Sequence, residues 1–418
     1  MAISESFAMT ELGALPEEWD VVNLGEVGKV VTGKTPSTKE KRFWNGTIPF
    51  ITPAELQGSA ICNTERTITE DGLKVSKALP RGTVLVSCIG YIGKVGIVDR
   101  HIAVTNQQIN AIIPDKHAAN NWYLAYMFIY LEPRLKEAAS ITTVPILNKS
   151  NFELTKIPLP PLSEQHRIAA VLSAVQDAKE KTGAVIAAAK SLKKSLMRHL
   201  FTYGPVPAGA AESVSLTETE IGLVPEGWDV VRLGDVAETR KETVDPRNSK
   251  SKYVGLEHIN PGECSLKRFG YSDDVRSAKS KFYLGDILYG KLRPYLDKCV
   301  LVDFEGICST DIIVVKTNNN ASNTFLSYFL HTDEFREYAA KTMTGVNHPR
   351  TSWRALSQFL IPLPPLPTQQ KIASILSTVD QKIEAEENKK KALDELFKSL
   401  LHNLMTGKIR VNHLEAIP

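Results

Sequence analysis

At 418 residues, with 23% charged and 43% hydrophobic residues, the chain has the composition of a globular protein of about two to four domains. No apolar run approaches the ~18 residues of a spanning helix, and the opening MAISESFAMTELG lacks the basic and apolar regions of a secretory leader, so a cytoplasmic location without membrane contact is expected. A net charge of +3 is too small to announce nucleic acid, and the scattered Cys62, Cys88, Cys264, Cys299 and Cys308, with no CxxC pair, support neither a disulfide framework nor a zinc site.

In chain order, the first element is a turn and a strand-like run, Trp19 to Leu24, inside TELGALPEEWDVVNLG (Thr10 to Gly25). A basic, loop-forming stretch follows, in which Lys29, Lys34, Lys39, Lys41 and Arg42 face only Glu40. Strand-like runs are expected at Val84 to Ile89, Gly96 to Asp99 and Ile109 to Ile113, with a helix over Asn121 to Ser140. The prolines of IPLPPLSEQHRIAAVLS (Ile157 to Ser173) stop regular structure, Ser163 is a candidate N-cap, and apolar residues then recur at helical spacing for about 38 residues. The seam runs Ile168, Leu172, Val175, Lys179, Thr182, Ile186, Ala189, Lys193, Leu196, Leu200. After a Pro/Gly/Ala linker, Tyr203 to Ser213, the pattern begins again.

TEIGLVPEGWDVVRLG (Thr219 to Gly234) repeats the opening block with 11 identities in 16, and IPLPPLPTQQKIASILS (Ile361 to Ser377) repeats the proline block with 11 in 17. Between them lie a second basic stretch, Arg240 to Lys252, expected strands at Asp286 to Tyr289, Val300 to Val302 and Asp311 to Val315, and an expected helix over Asn323 to Lys341. The closing helix, with Thr368 as candidate N-cap, carries the seam Ile372, Leu376, Val379, Ile383, Glu386, Lys390, Leu393, Phe397, Leu400, Leu404. A seam of this length needs a partner helix, and its own duplicate is the comparable one. The pattern leaves their relative direction open, but a twofold duplication favours an antiparallel pair with Thr182 near Glu386 and the two β-rich domains at opposite ends. The expected division is residues 1–160, a first globular domain; 161–203, a long helix; 204–218, a linker; 219–364, a second domain; and 365–418, a second long helix and tail.

GKVVTGKT (Gly28 to Thr35) matches the phosphate-loop pattern letter for letter. However, Pro36 disfavours helix at Thr35, Val30 and Val31 are strand formers, and the equivalent AETRKETV lacks the pattern. The histidines show no HExxH or Ser/His/Asp cue, and neither GxGxxG nor Asn-Pro-Pro-aromatic occurs, so no catalytic constellation is expected. Trp19, Trp44, Trp228 and Trp353 have apolar neighbours and read as packing residues.

The chain resembles the specificity subunits of type I restriction-modification enzymes. The resemblance rests on TGKTPSTKEKRFWNGTIPFITPAEL (Thr32 to Leu56), on KYVGLEHINPG, LYGKLRPYLDKCVL and GICSTDIIVVK within Lys252 to Lys316, and on the TT/TG stretch before each IPLPP. It implies an α+β fold of two pseudo-repeated α/β target recognition domains separated by two long antiparallel coiled-coil helices. It also implies a non-catalytic subunit that reads an asymmetric bipartite site in double-stranded DNA, with helices that set the spacer and dock two modification (methyltransferase) subunits. No cofactor is expected in this chain; S-adenosylmethionine, ATP and Mg would reside on those subunits and on restriction (translocase/nuclease) subunits. The alternatives are a protein–protein scaffold and, last, a P-loop nucleotide binder.

Arg or Lys suits guanine, Asn or Gln suits adenine, and Ser, Thr and Lys hold phosphates. On this basis the candidates in the first domain are Lys34, Thr35, Ser37, Lys39, Lys41, Arg42, Lys94, Asn106, Gln107, Gln108 and Lys149. In the second they are Arg247, Lys250, Lys252, Lys291, Arg293, Tyr295, Thr310, Arg350 and Arg354.

Overall fold

The computed structural model of the protein describes residues 6–139, 144–248 and 250–411. The Thr142–Thr143 part of the expected TT/TG stretch and the C-terminal tail beyond Val411 lie outside them. The chain forms two compact units, Met1–Gly183 with Asn388–Pro418, and Ala184–Glu387. Among the described residues no helix is long and apolar enough to cross a membrane.

In the first unit the two repeated blocks meet each other: β1 (Asp20–Asn23), from the opening block, pairs antiparallel with β6 (Lys156–Leu159), from the proline block. Between them, β2 (Gly28–Thr32), β3 (Val84–Ser87), β4 (Val95–Val98) and β5 (Ile109–Pro114) form a sheet ordered β2-β5-β3-β4, extended by Ala60–Ile61. Every residue of β3 and β4 is buried. Side chains alternate between faces, so Val84 and Val86 enter one core while Leu85 enters another. The first core is covered by helix α1 (Asn121–Glu137), capped by Asn120. A second sheet, ordered Arg66–Ile68, Trp44–Ile51, Ile102–Thr105, Leu79–Pro80, has its inner pair parallel.

The second unit repeats this plan although its sequence between the blocks is different. β7 (Asp229–Arg232) pairs with β12 (Leu360–Leu363). β8 (Ala237–Thr239), β9 (Ile287–Gly290), β10 (Cys299–Leu301) and β11 (Ile312–Thr317) are ordered β8-β11-β9-β10, matching β2-β5-β3-β4 strand for strand. Again alternate residues divide: Ile287 and Tyr289 face one core, Leu288 the other. Its second sheet also has a parallel inner pair, Lys252–Val254 with Gly306–Cys308.

The long helices are α2 (Leu162–Tyr203) and, at the end of the chain, Leu366–Met405. Both begin before the expected caps Ser163 and Thr368. The amides of Glu164 and Gln165 donate to the Pro161 carbonyl, and those of Thr368 and Gln369 to the Pro365 carbonyl, so each proline pair sits at the cap position. The Gln165 amide group then donates to the Pro160 and Ala118 carbonyls and accepts from Asn120 N, tying the helix to the cap of α1. Gln369 makes the same three bonds to Pro364, Asn320 and Ser322.

The expected helix over Asn323 to Lys341 is two helices, α3 (Asn323–Phe329) and α4 (Asp333–Lys341); the Leu366–Met405 helix is therefore α5. The chain breaks because His331 is pinned between the Asp297 carboxylate (2.8 Å) and the Cys299 carbonyl (2.9 Å), while Thr332 caps α4 through Phe335 N.

In the first unit Ile168 and Leu172 of α2 share a core with Phe397, Leu401 and Leu404 of α5, and Lys179 pairs with Asp394 at 2.8 Å. In the second, Leu200 shares a core with Ile372 and Leu376, and Lys190–Glu387 and Lys193–Asp380 each close at 2.7 Å. Within each unit partner numbers fall along α5 as they rise along α2, so the helices are antiparallel. Thr182 and Glu386, expected seam positions, are both buried. Part of the expected linker is a 3-10 helix, Ala208–Ser213.

Candidate nucleic-acid interface

The phosphate-loop pattern is resolved by backbone geometry. Gly28–Thr32 is strand β2, paired along its length with β5, and the next amides are engaged: Gly33 N donates to the Ile109 carbonyl and Lys34 N to the Thr105 carbonyl. Amides already used in a ladder cannot cradle a phosphate. Gly33 has a different purpose, since a Cβ there would lie 2.1 Å from the Asn106 carbonyl oxygen. Only glycine lets the chain pass so close, and this passage sets Lys34 and Thr35 beside Asn106, Gln107 and Gln108.

Thr35 Oγ1 donates to Gln107 Oε1 at 2.8 Å, and Asn106 Nδ2 donates to Gln108 Oε1 at 2.9 Å. Cys88 N donates to the Gln108 carbonyl at 2.7 Å, which brings in the β3–β4 turn and Lys94. Leu147 N donates to the Cys88 carbonyl, so the segment leading to Lys149 joins the same end of the sheet; Lys149 itself pairs with Glu153 at 3.2 Å. Beyond Thr35 the loop carries Ser37, Lys39, Lys41 and Arg42 into solvent. Trp44 anchors it by donating Nε1 to the Ser37 carbonyl at 3.1 Å. Arg42 pairs with Glu40 at 3.4 Å, an exposed contact that a phosphate can displace at small cost. Arg66, not among the expected candidates, holds its guanidinium 3.9 Å from the Trp44 ring centroid; no motif marks it, because its partner is 22 residues away in sequence.

In the second unit Lys291, Thr310 and Arg350 line one cleft of about 340 Å³. Arg350 grips Asp311 through Nε (2.8 Å) and Nη2 (3.3 Å), and this hydrogen bonding, against burial, holds the Asp311 carboxyl below the usual range. Arg240 lines the same cleft and was not among the expected site residues, although it opens the basic stretch. It is bonded to Asp286 at 2.6 and 3.0 Å and lies over the Tyr283 ring. Arg293 and Tyr295 occupy the β9–β10 turn, and Arg354 is exposed on the short helix Trp353–Leu356. Lys250 is exposed. Arg247 is clamped on Asp245, whose carboxyl it lowers to about 2, chiefly through side-chain hydrogen bonds. Lys252 departs most from expectation: its ammonium lies 4.5 Å from the Phe269 ring centroid and 4.3 Å from that of Phe304, as a half-buried packing post.

Trp19 is in the core of the first unit, Trp228 and Trp353 pack on that of the second, and Trp44 packs on a smaller cluster, as their neighbours in sequence suggest. Among the described residues no group of three or more His, Cys, Asp and Glu side chains could hold a metal ion. What this geometry offers is hydrogen-bond donors and acceptors with cations at one end of each first sheet, the side-chain types that contact phosphates and base edges.

The family described as "Type I restriction modification DNA specificity domain" matches residues 16–187 and 225–395. The chain is 28% identical over 428 residues to the type I restriction enzyme MjaIX specificity subunit of Methanocaldococcus jannaschii, covering 98% of this chain and 97% of that one. It is 26% identical over 384 residues to the EcoDI specificity subunit of Escherichia coli, covering 86% and 81%. Its fold is similar to the crystal structure of a type I restriction-modification S subunit from M. genitalium, with a TM-score of 0.59 at 16% identity over 92% of this chain and 96% of that one.

Proposed function

Because the chain belongs to the type I restriction-modification DNA specificity family, we propose that it is the subunit that selects DNA sequence for a multisubunit modification and restriction enzyme. Each unit reads one half of an asymmetric bipartite site in double-stranded DNA. The observation that carries this reading is one sheet plan built twice with different side chains around its matching end: Lys34, Thr35 and Asn106–Gln108 in the first unit, Lys291, Thr310 and Arg350 in the second. Matching scaffolds with different donors fit two different half-sites.

The remaining candidates, Ser37, Lys39, Lys41, Arg42, Lys94 and Lys149, and Arg247, Lys250, Arg293 and Arg354, supply phosphate and flanking contacts in this account. Lys252 stiffens the loop behind them. Helices of 42 and 40 residues span about 60 Å at ~1.5 Å per residue, and we take them as the element that sets the distance between half-sites and docks two modification subunits. S-adenosylmethionine, ATP and Mg then belong to the modification and restriction subunits, and this chain supplies no catalytic group. The test is methylation of a random-sequence duplex library by the chain with a modification subunit and S-adenosylmethionine. One asymmetric bipartite motif is expected; methylation without a motif, or turnover by the purified chain alone, would refute the reading.

A further inference from the structure

The β3–β4 and β9–β10 turns occupy equivalent places in matching sheets, and their bases are tied down identically. Gly90 N donates to the Pro145 carbonyl at 3.0 Å, and Arg293 N donates to the Pro349 carbonyl at 2.9 Å. Ile89 bridges to Ile146, and Leu292 to Arg350. Each turn is bounded by two left-handed residues, Gly90 (φ 75°) and Gly93 (φ 89°) in the first, Arg293 (φ 50°) and Asp297 (φ 54°) in the second. Superposed on that backbone is a short pattern hidden from alignment by a one-residue insertion: Tyr91-Ile92-Gly93-Lys94 and Tyr295-Leu296-Asp297-Lys298.

The second turn holds Arg and Asp in a conformation that side chains with a Cβ resist, so its shape is maintained against local preference. What the shape achieves in both turns is the outward presentation of a tyrosine: Tyr91 is 77% exposed and Tyr295 50% exposed. An aromatic ring held in water on a turn with a fixed base is an unmet contact, because such rings gain most when covered. The neighbours say by what. The first turn is bonded to Gln108 and carries Lys94, whose ammonium lies 5.1 Å from the Tyr91 ring centroid. The second adjoins Lys291 and Arg350.

Building on the specificity-subunit reading above, we propose that Tyr91 and Tyr295 are equivalent DNA-contacting residues, each laying its ring against a base edge in the groove at its own half-site. A ring contact carries no charge, so it adds affinity without adding to the salt dependence that Lys and Arg create.

The experiment uses the full chain assembled with its modification subunit, and measures equilibrium binding to cognate duplex across a salt series for Tyr91→Ala, Tyr91→Phe, Tyr295→Ala and Tyr295→Phe. Each alanine variant should bind roughly 5- to 150-fold more weakly, the range for one lost base-edge contact, with the salt slope unchanged. Each phenylalanine variant, which keeps the ring, should stay within about threefold of wild type on the same reasoning. Alanine variants that bind like wild type, or whose slope falls by about one unit, would overturn the proposal. So would variants that shed the modification subunit on gel filtration while the intact complex keeps its DNA affinity, since the tyrosines would then face protein. In all three cases specific binding by the wild-type complex leaves the specificity reading standing; a wild-type complex without sequence preference refutes both.

Discussion

The ion pair between Arg410 and Glu164 gives the most quantitative test of how the first unit is held together. Arg410, just past the end of α5, donates Nε (2.7 Å) and Nη2 (2.9 Å) to Glu164 in the first turn of α2, and Nη2 also reaches Glu18 at 2.8 Å. The side chains of Arg410 and Glu164 are 6% and 2% exposed. Arg410→Met leaves that carboxylate buried with Trp19 Nε1, at 3.1 Å, as its remaining hydrogen-bond donor. Stripping one partner from a buried pair costs about 3–5 kcal/mol. For a unit of this size, at ~2–4 °C per kcal/mol, that lowers its melting temperature by roughly 6–20 °C. Scanning calorimetry of the full chain measures this, and the double variant Arg410→Met/Glu164→Gln should recover about half of the loss or more, because the stranded charge is gone. A drop under ~2 °C, or a double variant no better than the single, would show that the pair does not lock the C-terminal segment onto the unit.

Three further outcomes are expected. Burial alone would push the pKa of His331 down, yet the Cys264 sulfur and the Asp297 carboxylate against it raise it to about 10. With the folded pKa raised, its stabilisation is full below about 6.5 and is lost as pH rises towards 10. Melting of the second unit should therefore decline over that window in wild type and stay flat in His331→Gln; parallel profiles would refute the charged pair. Lys41→Ala and Arg42→Ala should each weaken DNA binding and lower its salt slope by about one unit, and an unchanged slope would remove that loop from the DNA. Deleting a heptad from both long helices, Lys179 to Val185 and Ile383 to Lys389, shortens each by about 10 Å, which at ~3.4 Å per base pair is a spacer about three base pairs shorter. Efficient methylation at the original spacing would show that the helices do not set the distance.

The frame of the fold was legible because it is written twice. The strands at Asp20–Asn23 and Asp229–Arg232 and the buried seam positions from Ile168 to Leu404 follow from local pattern: a pair of strand-forming valines in one case and three-four spacing in the other. The likeness of the two inserts was not legible, because it resides in which residues face which core rather than in their identities. Val84, Leu85 and Val86 share only the central leucine with Ile287, Leu288 and Tyr289, yet both runs divide between two clusters in the same way. The break between α3 and α4 escaped for a different reason: His331 finds Asp297, 34 residues earlier, and no window along the chain contains both. The Gln165 and Gln369 staples left a usable signal, as the one polar residue identical in both copies at the start of each long helix, but the hydroxyl residues beside them drew the cap assignment. At the candidate interface, residue type and basic clustering mark positions along the sequence but not the settings in which they are held. Nothing near them in sequence shows that Lys252 sits over Phe269 and Phe304, that Arg240 is held by Asp286, or that Arg66 lies on Trp44, because those settings are made by distant strands.

The central claim is that two independent readers share one frame, and exchanging one reader tests it most directly. Residues Gly25 to Lys156 would be replaced by the corresponding segment of a relative with a different target, the chimera assembled with its modification subunit, and its methylated sites mapped by sequencing. The account predicts a motif in which one half changes and the other half is retained. A folded chimera that loses both halves, or keeps the original motif entire, would contradict it.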